Sequence, residues 1–143
     1  MPHDPQCVFC QIVADPGKCA LLATDPDAMA FMDVHPANHG HCLVIPRGHW
    51  PTVFDIPPDA FAAVARLVVR IAAGVRRALA PPGLSLVQAN GHAAHQTVPH
   101  LHVHVLPRRD DDRLALNWPR TAIGHADRIA EIAARIRDHL PPG

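Results

Sequence analysis

The sequence predicts an α+β domain in which a mainly antiparallel sheet packs against one long helix, with a second helix at the C-terminus. Short apolar runs bounded by turn residues predict the strands, and two amphipathic stretches predict the helices. The connections between these elements are short. Because the 143 residues contain no internal repeat and no linker, we expect a single domain spanning residues 1–143.

The strand predictions come from short apolar runs that end at turn residues. The runs lie at residues 20–24, 28–33, 41–46, 84–90 and 100–107, and the first of them is the weakest candidate. Pro36 and Gly40 mark the turn between the second run and the third. A polar loop that contains Gly91 separates the last two runs.

Two stretches repeat apolar residues with the 3.6-residue period of an amphipathic helix. The longer one, 58–80, begins at Pro58 and Asp59, which are typical of a helix start. Its apolar face consists of Val64, Val68, Ile71 and Val75, and its opposite face carries Arg66, Arg70 and Arg77. The second stretch, 129–140, ends before a proline. We expect the longer helix to pack on the sheet.

The composition disfavours several classes of protein. Thirteen Lys and Arg balance thirteen Asp and Glu, and no basic patch interleaves with aromatic residues, so nucleic acid is not an expected partner. Arginines interrupt the longest apolar stretch, so it does not resemble a membrane span. The N-terminal stretch is polar and lacks the apolar segment of a signal peptide, which favours a cytoplasmic protein whose four cysteines are thiols or metal ligands.

His100, His102 and His104 alternate through the run HLHVHVLP. Alternate residues of a strand share one face, so the simplest interpretation is a half-buried strand whose polar positions are histidines. Neutral imidazole is also a metal ligand, a base and a nucleophile near pH 7. Side chains spaced about 7 Å apart along a strand do not converge easily on one ion, which favours a different role for each histidine.

Three blocks resemble, in order and spacing, those of the histidine-triad (HIT) superfamily of nucleotide hydrolases and transferases. They are CVFCQIV near the N-terminus, AFMDVHPANHGHCLVIPRGH at 30–49 and NGHAAHQTVPHLHVHVLPR at 90–108. The sequence is most similar to the small bacterial Hint-like branch, in which Trp118 falls in a variable tail. The resemblance implies the HIT-like α+β fold and a homodimer to which the 58–80 helix contributes.

The resemblance also implies a reaction, the cleavage of nucleoside 5′-phosphate derivatives at the α-phosphorus. His102 would attack the phosphorus and form a covalent nucleotidyl-histidine, which water then cleaves. His104 would bind phosphate charge or assist proton transfer, and His41 would support the triad. The polar residues expected to contact the phosphate or the leaving group are Asn90, Gln96 and Thr97. The expected substrates are purine nucleotides of the form AMP-X, such as adenosine 5′-phosphoramidates.

For the nucleoside, the resemblance assigns Asp33 to the ribose hydroxyls and an apolar slot to the base. The slot residues would be Phe9, Phe31 and Val34. A phenylalanine in an apolar strand is more often simply part of the core, and this interpretation stays open.

Two cofactor predictions follow from short motifs. Cys7-x-x-Cys10 supplies half of a tetrahedral zinc shell, although two cysteines also fit a redox pair or free buried thiols. Some bacterial HIT proteins complete the shell with histidines that correspond to His49 and His100, so the resemblance implies a closed, structural zinc site. The sequence DPGK around Lys18 lacks the spacing and the Ser/Thr of a Walker loop, so we expect no Mg²⁺ dependence.

Two residues depart from the family pattern. His95 stands where the family usually has glycine, so we expect its backbone to resist a positive φ. Ala89 stands where many relatives have a phosphate-binding asparagine. These departures leave open a nucleotide-binding regulatory protein with negligible turnover. Dinucleoside polyphosphates are the second choice of substrate, and the balanced charge disfavours repair of adenylylated nucleic-acid ends.

Overall fold

A computed structural model describes residues 1–116 and 124–142 of the chain. Its helices are α1 (Val8–Ala14), α2 (Pro58–Leu79) and α3 (Ala126–Asp138), and its strands are β1 (Leu21–Thr24), β2 (Ala28–Met32), β3 (Cys42–Pro46), β4 (Gly83–Val87) and β5 (Val103–Arg108). Two 3₁₀ turns lie at Pro16–Lys18 and His92–Ala94. Trp118 lies outside the described residues. The predicted α+β class is confirmed.

The five strands form one antiparallel sheet in the order β1-β2-β3-β5-β4. β2 and β3 pair along their whole length as a hairpin. β5 lies between β3 and β4, where His104 is opposite Leu43 on one side and Val87 on the other. Because β5 is bonded on both sides, the sheet holds the end of the histidine segment in a fixed position.

Helix α2 covers one face of the sheet. Its buried residues share one helical face, and they are Ala63, Val64, Leu67, Val68, Ile71 and Val75. They form a core with strand residues that include Ala30, Val44 and Val105. Full burial of an aliphatic side chain contributes about 1.5–3 kcal/mol relative to exposure, so this layer stabilises the fold. The predicted packing of the long helix on the sheet is confirmed.

Helix α1 begins directly after Cys7 and packs on the opposite face of the sheet. Phe9 belongs to a buried cluster with Phe31, Leu43 and Ile45 on that face. The sequence analysis did not predict this helix, because seven residues are too few to establish a helical period. The helix brings both cysteines of the N-terminal motif next to the strands.

The strand predicted at 100–107 begins only at Val103, so His104 is the single triad histidine within a strand. The segment before it leaves the sheet because the backbone N–H of Leu101 donates to the carbonyl of Trp50 at 2.7 Å. This bond pairs the segment with the loop after β3. The prediction of three histidines alternating along one strand is therefore wrong for the first two.

The chain divides into two compact units, Met1–Arg113 and Leu114–Gly143. The first unit contains the sheet with α1 and α2. In the second, α3 has the predicted amphipathic pattern, and its apolar residues Ile129, Ile132 and Ile136 are exposed. The interpretation of 1–143 as one domain stays a prediction. Among the described helices, none combines the length and the apolar character that crossing a membrane requires.

Candidate active site and metal centre

His102 lies one residue before β5 and is 6% exposed. Its Nδ1 is 2.8 Å from the carbonyl oxygen of His100. A carbonyl oxygen only accepts hydrogen bonds, so Nδ1 carries the proton and Nε2 carries the lone pair. Burial lowers the pKa of His102, and this effect outweighs the hydrogen bond to His100 and the charge of Asp33, which raise it. The ring is a neutral imidazole near pH 7.

His104 and His41 extend the group of imidazoles. The ring centroids of His102 and His104 are 4.9 Å apart, and His104 Nδ1 lies 2.8 Å from His41 Nε2. The Oδ2 of Asp33 is 3.5 Å from the same Nε2. Burial is the main cause that lowers the pKa of His104 to about 4, and burial also lowers the pKa of His41. The structure thus brings together four predicted site residues, Asp33, His41, His102 and His104. The rings of His41 and His104 are neutral at pH 7.

Phe9 lies against the histidines. Its ring centroid is 5.3 Å from that of His102 and 5.6 Å from that of Phe31, and both pairs are edge-to-face. Phe9 and Phe31 are buried, whereas Val34, the third residue of the predicted slot, is 78% exposed. Two of the three slot residues therefore form an apolar surface beside His102.

The side-chain amide of Gln96 is bonded within the protein. Its Oε1 accepts from the backbone N–H of Gly91 at 2.7 Å. Its Nε2 donates to the carbonyl oxygens of Pro51 at 2.6 Å and Val98 at 3.0 Å. Both amide hydrogens therefore have an acceptor, and the predicted contact with a phosphate requires at least one of these bonds to break.

Asn90 and Thr97 differ in whether the side chain is already bonded within the protein. Asn90 Oδ1 accepts from the backbone N–H of Val53 at 2.7 Å, and its Nδ2 donates to Gln88 Oε1 at 2.6 Å. Asn90 thus connects the end of β4 to the loop before α2. Thr97 is exposed, so its hydroxyl is accessible to a ligand.

His95 adopts a φ of +63°, so the expectation that it would resist a positive φ is wrong. The residue ends the 3₁₀ turn His92–Ala94, where its N–H donates to the carbonyl of His92 at 2.9 Å. The left-handed conformation of a residue other than glycine costs about 1 kcal/mol. The loop therefore adopts this left-handed turn without a glycine and carries an exposed imidazole there.

The four predicted zinc ligands lie together. The ligand atoms of Cys7, Cys10, His49 and His100 are all within 4.8 Å of one another. Cys10 Sγ is 3.4 Å from His49 Nδ1, and Cys7 Sγ is 3.5 Å from His100 Nδ1. Tetrahedral coordination, with Zn–S of about 2.3 Å and Zn–N of about 2.0–2.1 Å, separates sulfur and nitrogen by about 3.6 Å. The spacing of these four residues fits a tetrahedrally coordinated metal ion.

The surroundings of the cluster also suit a metal. His100 Nε2 lies 2.9 Å from the carbonyl of Pro46, so its proton is held there and the Nδ1 lone pair faces the two sulfurs. Burial lowers the pKa of His100 to about 4, which keeps the ring neutral. Four protein ligands leave no open position, so an ion held by this set is structural.

A sequence model described as the HIT domain matches residues 17–111, about two thirds of the chain, and the chain belongs to this family. An adenylylsulfatase of Arabidopsis thaliana, HINT3, is 36% identical over 136 residues, which cover 94% of this chain and 69% of that protein. An adenosine 5′-monophosphoramidase of Schizosaccharomyces pombe is 33% identical over 135 residues, which cover 92% and 98% of the two chains. A zinc-bound histidine triad family protein of Mycobacterium smegmatis has a similar structure, with a TM-score of 0.72, 36% identity and coverage of 81% and 84%.

Sequence reasoning missed the backbone groups of the site. The carbonyls of His100 and Pro46 orient two imidazoles, and the backbone N–H of Ala37 lies 3.0 Å from His41 Nδ1. Every residue apart from proline carries both groups, so no pattern of residue types marks the ones that bond a side chain.

Proposed function

We propose that the protein hydrolyses nucleoside 5′-phosphate derivatives at the α-phosphorus through a covalent nucleotidyl-histidine at His102. The observation that carries this proposal is the bond from His102 Nδ1 to the carbonyl of His100, because it leaves Nε2 as the nucleophile. The proposed substrates are purine nucleotides of the form AMP-X. The names of two similar proteins, an adenosine 5′-monophosphoramidase and an adenylylsulfatase, support this class.

In the first proposed step, Nε2 of His102 bonds to the phosphorus while the bond from phosphorus to X breaks. X leaves with the bonding electron pair and takes up a proton from solvent. In the second step a water oxygen bonds to the phosphorus and a proton of that water returns to solvent, while the N–P bond breaks and its electron pair returns to Nε2. One water is consumed, and AMP and HX are released. A neutral imidazole attacks without prior deprotonation, which suits a buried ring.

For the nucleotide, we propose that Phe9 and Phe31 contact the base and that Asp33 binds the ribose. The short distance between the Phe9 ring and the nucleophile supports this assignment. The exposed hydroxyl of Thr97 is the proposed phosphate ligand. Its backbone N–H donates to no group in the part of the chain that the structure describes, so it is a second proposed donor. Asn90, Gln96 and Val34 stay predicted members of this site.

We propose that Cys7, Cys10, His49 and His100 hold a structural zinc ion. The sulfur–nitrogen distances of 3.4–3.7 Å support it. The ion would connect the N-terminal segment, including Phe9, to the segment that precedes β5. It would supply this cross-link and no step of the reaction.

We also propose that the protein is a cytoplasmic homodimer in which α2 contributes to the contact. Val69 on α2 is 71% exposed, and Leu86 on the edge strand β4 is 55% exposed, so both elements offer apolar side chains for a contact. Sedimentation of the wild type should give twice the mass of one chain. The double variant Val69→Glu/Leu86→Glu should give the mass of a single chain. A monomeric wild type would contradict the assembly.

The test of the activity is intact-protein mass spectrometry after mixing with an adenosine 5′-phosphoramidate, followed by a quench without acid. The wild type should carry a transient adenylyl group, and His102→Ala should carry none. AMP release, followed by chromatography, should fall by at least about 10³-fold in the variant. His139→Ala, which changes an exposed histidine directly after α3, is the matched control and should behave as wild type. Equal AMP release by wild type and His102→Ala would refute the mechanism.

A nucleotide-binding protein without turnover is the second candidate, and the bonded amide of Gln96 favours it. Both Gln96 hydrogens are held by backbone carbonyls, so one predicted donor to the transition state is withdrawn. In that case AMP binds the wild type and His102→Ala equally, and neither protein releases AMP above the uncatalysed rate.

A further inference from the structure

We propose that the backbone N–H of Ala37 fixes the tautomer of His104, acting through His41, so that His104 presents an N–H group from Nε2. Ala37 is then a positioning residue for the catalytic imidazoles, although its side chain contacts none of them. The tautomer assignment is independent of any activity. Its consequence for catalysis rests on the proposed function.

The assignment follows from counting protons along a chain of short contacts. The N–H of Ala37 lies 3.0 Å from His41 Nδ1, and a backbone N–H can only donate. His41 Nδ1 therefore accepts and carries no proton, so the proton of the neutral ring is on Nε2. This Nε2–H donates to His104 Nδ1 at 2.8 Å. The remaining proton of the neutral His104 ring is then on its Nε2.

The same contacts exclude the reverse direction of these hydrogen bonds. If His104 Nδ1 carried the proton, His41 Nε2 would have to accept it, and the His41 proton would move to Nδ1. That proton would face the N–H of Ala37 across 3.0 Å, which places two donors against each other.

The loop that carries Ala37 is held at several points. The N–H of Asp33 donates to the carbonyl of His41 at 3.0 Å, and the N–H of His35 donates to Asp33 Oδ1 at 2.8 Å. Asn38 Nδ2 donates to the carbonyl of Pro107 in β5 at 2.9 Å. The Ala37 donor is therefore fixed relative to His41, which directly precedes β3, and to β5, which carries His104.

The proton count also decides what the group of Asp33, His41 and His104 does. One ligand atom from each residue lies within 4.8 Å of the others, which is a spacing compatible with a metal ion. His41 Nε2 holds a proton in this arrangement, and a protonated nitrogen has no lone pair to give to a metal. The group is a hydrogen-bond relay that ends at His104.

Because of this relay, the Nε2 atoms of two neighbouring histidines have opposite hydrogen-bonding roles. His102 presents a lone pair from Nε2, and His104, 4.9 Å away between ring centroids, presents an N–H from Nε2. The first nitrogen suits attack on phosphorus, and the second suits a hydrogen bond to a phosphoryl oxygen. His104 does this as a neutral donor, which agrees with the burial of its ring among His41, His102 and Asp33.

The first measurement uses ¹⁵N-labelled wild-type protein. Long-range ¹H–¹⁵N correlation spectra at pH 7 should show His104 protonated at Nε2 and His41 protonated at Nε2. Scalar coupling across the hydrogen bond should connect the Ala37 amide nitrogen to His41 Nδ1. Protonation of His104 at Nδ1, or no coupling to Ala37, would overturn the proposal whether or not the protein releases AMP.

The second measurement compares Ala37→Pro, which removes the N–H, with Ala37→Gly, which keeps it. Ala37 is exposed, so neither change disturbs a packed side chain. One hydrogen bond shifts an equilibrium by up to about tenfold, so Ala37→Pro should raise the Nδ1–H form of His104 and lower kcat/KM two- to tenfold. Ala37→Gly should change neither. An unchanged His104 tautomer in a folded Ala37→Pro variant would refute the role of Ala37. An equal loss of kcat/KM in Ala37→Pro and Ala37→Gly would show that the substitutions act only through the structure of the loop, which would also refute it.

Discussion

Lowering the pH from 7 to 4.5 should destabilise the wild type more than a His104→Gln variant. Burial lowers the pKa of His104 from an ordinary value of 6.5 to about 4 in the folded protein. Below pH 6.5 the unfolded chain therefore binds a proton at this position that the folded protein does not. The contribution of His104 to stability is present above pH 6.5 and is lost as the pH falls towards 4.

The size of the effect follows from the two pKa values. With 6.5 in the unfolded chain and about 4 in the folded protein, proton linkage removes about 2.5 kcal/mol at pH 4.5. This is a large part of the 5–15 kcal/mol that stabilises a typical domain. Glutamine does not titrate, and its Oε1 can accept the hydrogen bond from His41, so the variant retains a partner for that ring.

The assay is urea unfolding of both proteins at pH 7 and at pH 4.5. Both proteins keep the cysteine and histidine cluster, so acid-induced changes at that cluster cancel in the difference. The wild type should lose about 2.5 kcal/mol more than His104→Gln between the two pH values. Equal losses in the two proteins would refute the lowered pKa of His104.

The remaining predictions concern the metal cluster and two backbone conformations. Cys10→Ser should reduce bound zinc from one ion per chain to none, as measured by atomic emission, and lower the free energy of unfolding by more than about 3 kcal/mol. Gly40→Ala should cost about 2–4 kcal/mol in urea unfolding, because φ is +87° and the new methyl group overlaps Leu79 Cδ1. His95→Gly should stabilise the protein by up to about 1 kcal/mol, because it relieves a φ of +63°; a lower midpoint of unfolding would show that the ring makes stabilising contacts.

The helical period and the apolar runs of the sequence predicted the elements that face the core. The long helix was expected at 58–80 and spans Pro58–Leu79, and the first hairpin strands differ from prediction by one residue at most at each end. The helix buries one continuous face, and β2 and β3 are buried on both faces, so burial determines the helical period and the lengths of the apolar runs. The four members of the cysteine and histidine cluster were also predicted, Cys7 and Cys10 from their spacing and His49 and His100 from the resemblance to the HIT family.

The rest depends on backbone contacts between segments distant in sequence. The strand predicted at 84–90 ends at Val87, and the residues after it bond to the loop before α2 through Asn90. β5 starts three residues late because Leu101 bonds to Trp50 instead of to a neighbouring strand. Main-chain groups also orient the rings of His41, His100 and His102. Residue types do not encode which main-chain groups meet, so these features require the structure.

His100 takes part in two sites through opposite ends of the same residue. Its ring faces Cys7 and Cys10, and its carbonyl oxygen accepts a hydrogen bond from His102 Nδ1. A displacement of the His100 backbone therefore moves both the ring in the cysteine and histidine cluster and the acceptor that orients His102. Coupling of this kind is reciprocal. If the proposed ion strengthens nucleotide binding at His102 by fixing this residue, a bound nucleotide must strengthen the binding of the ion by the same free energy.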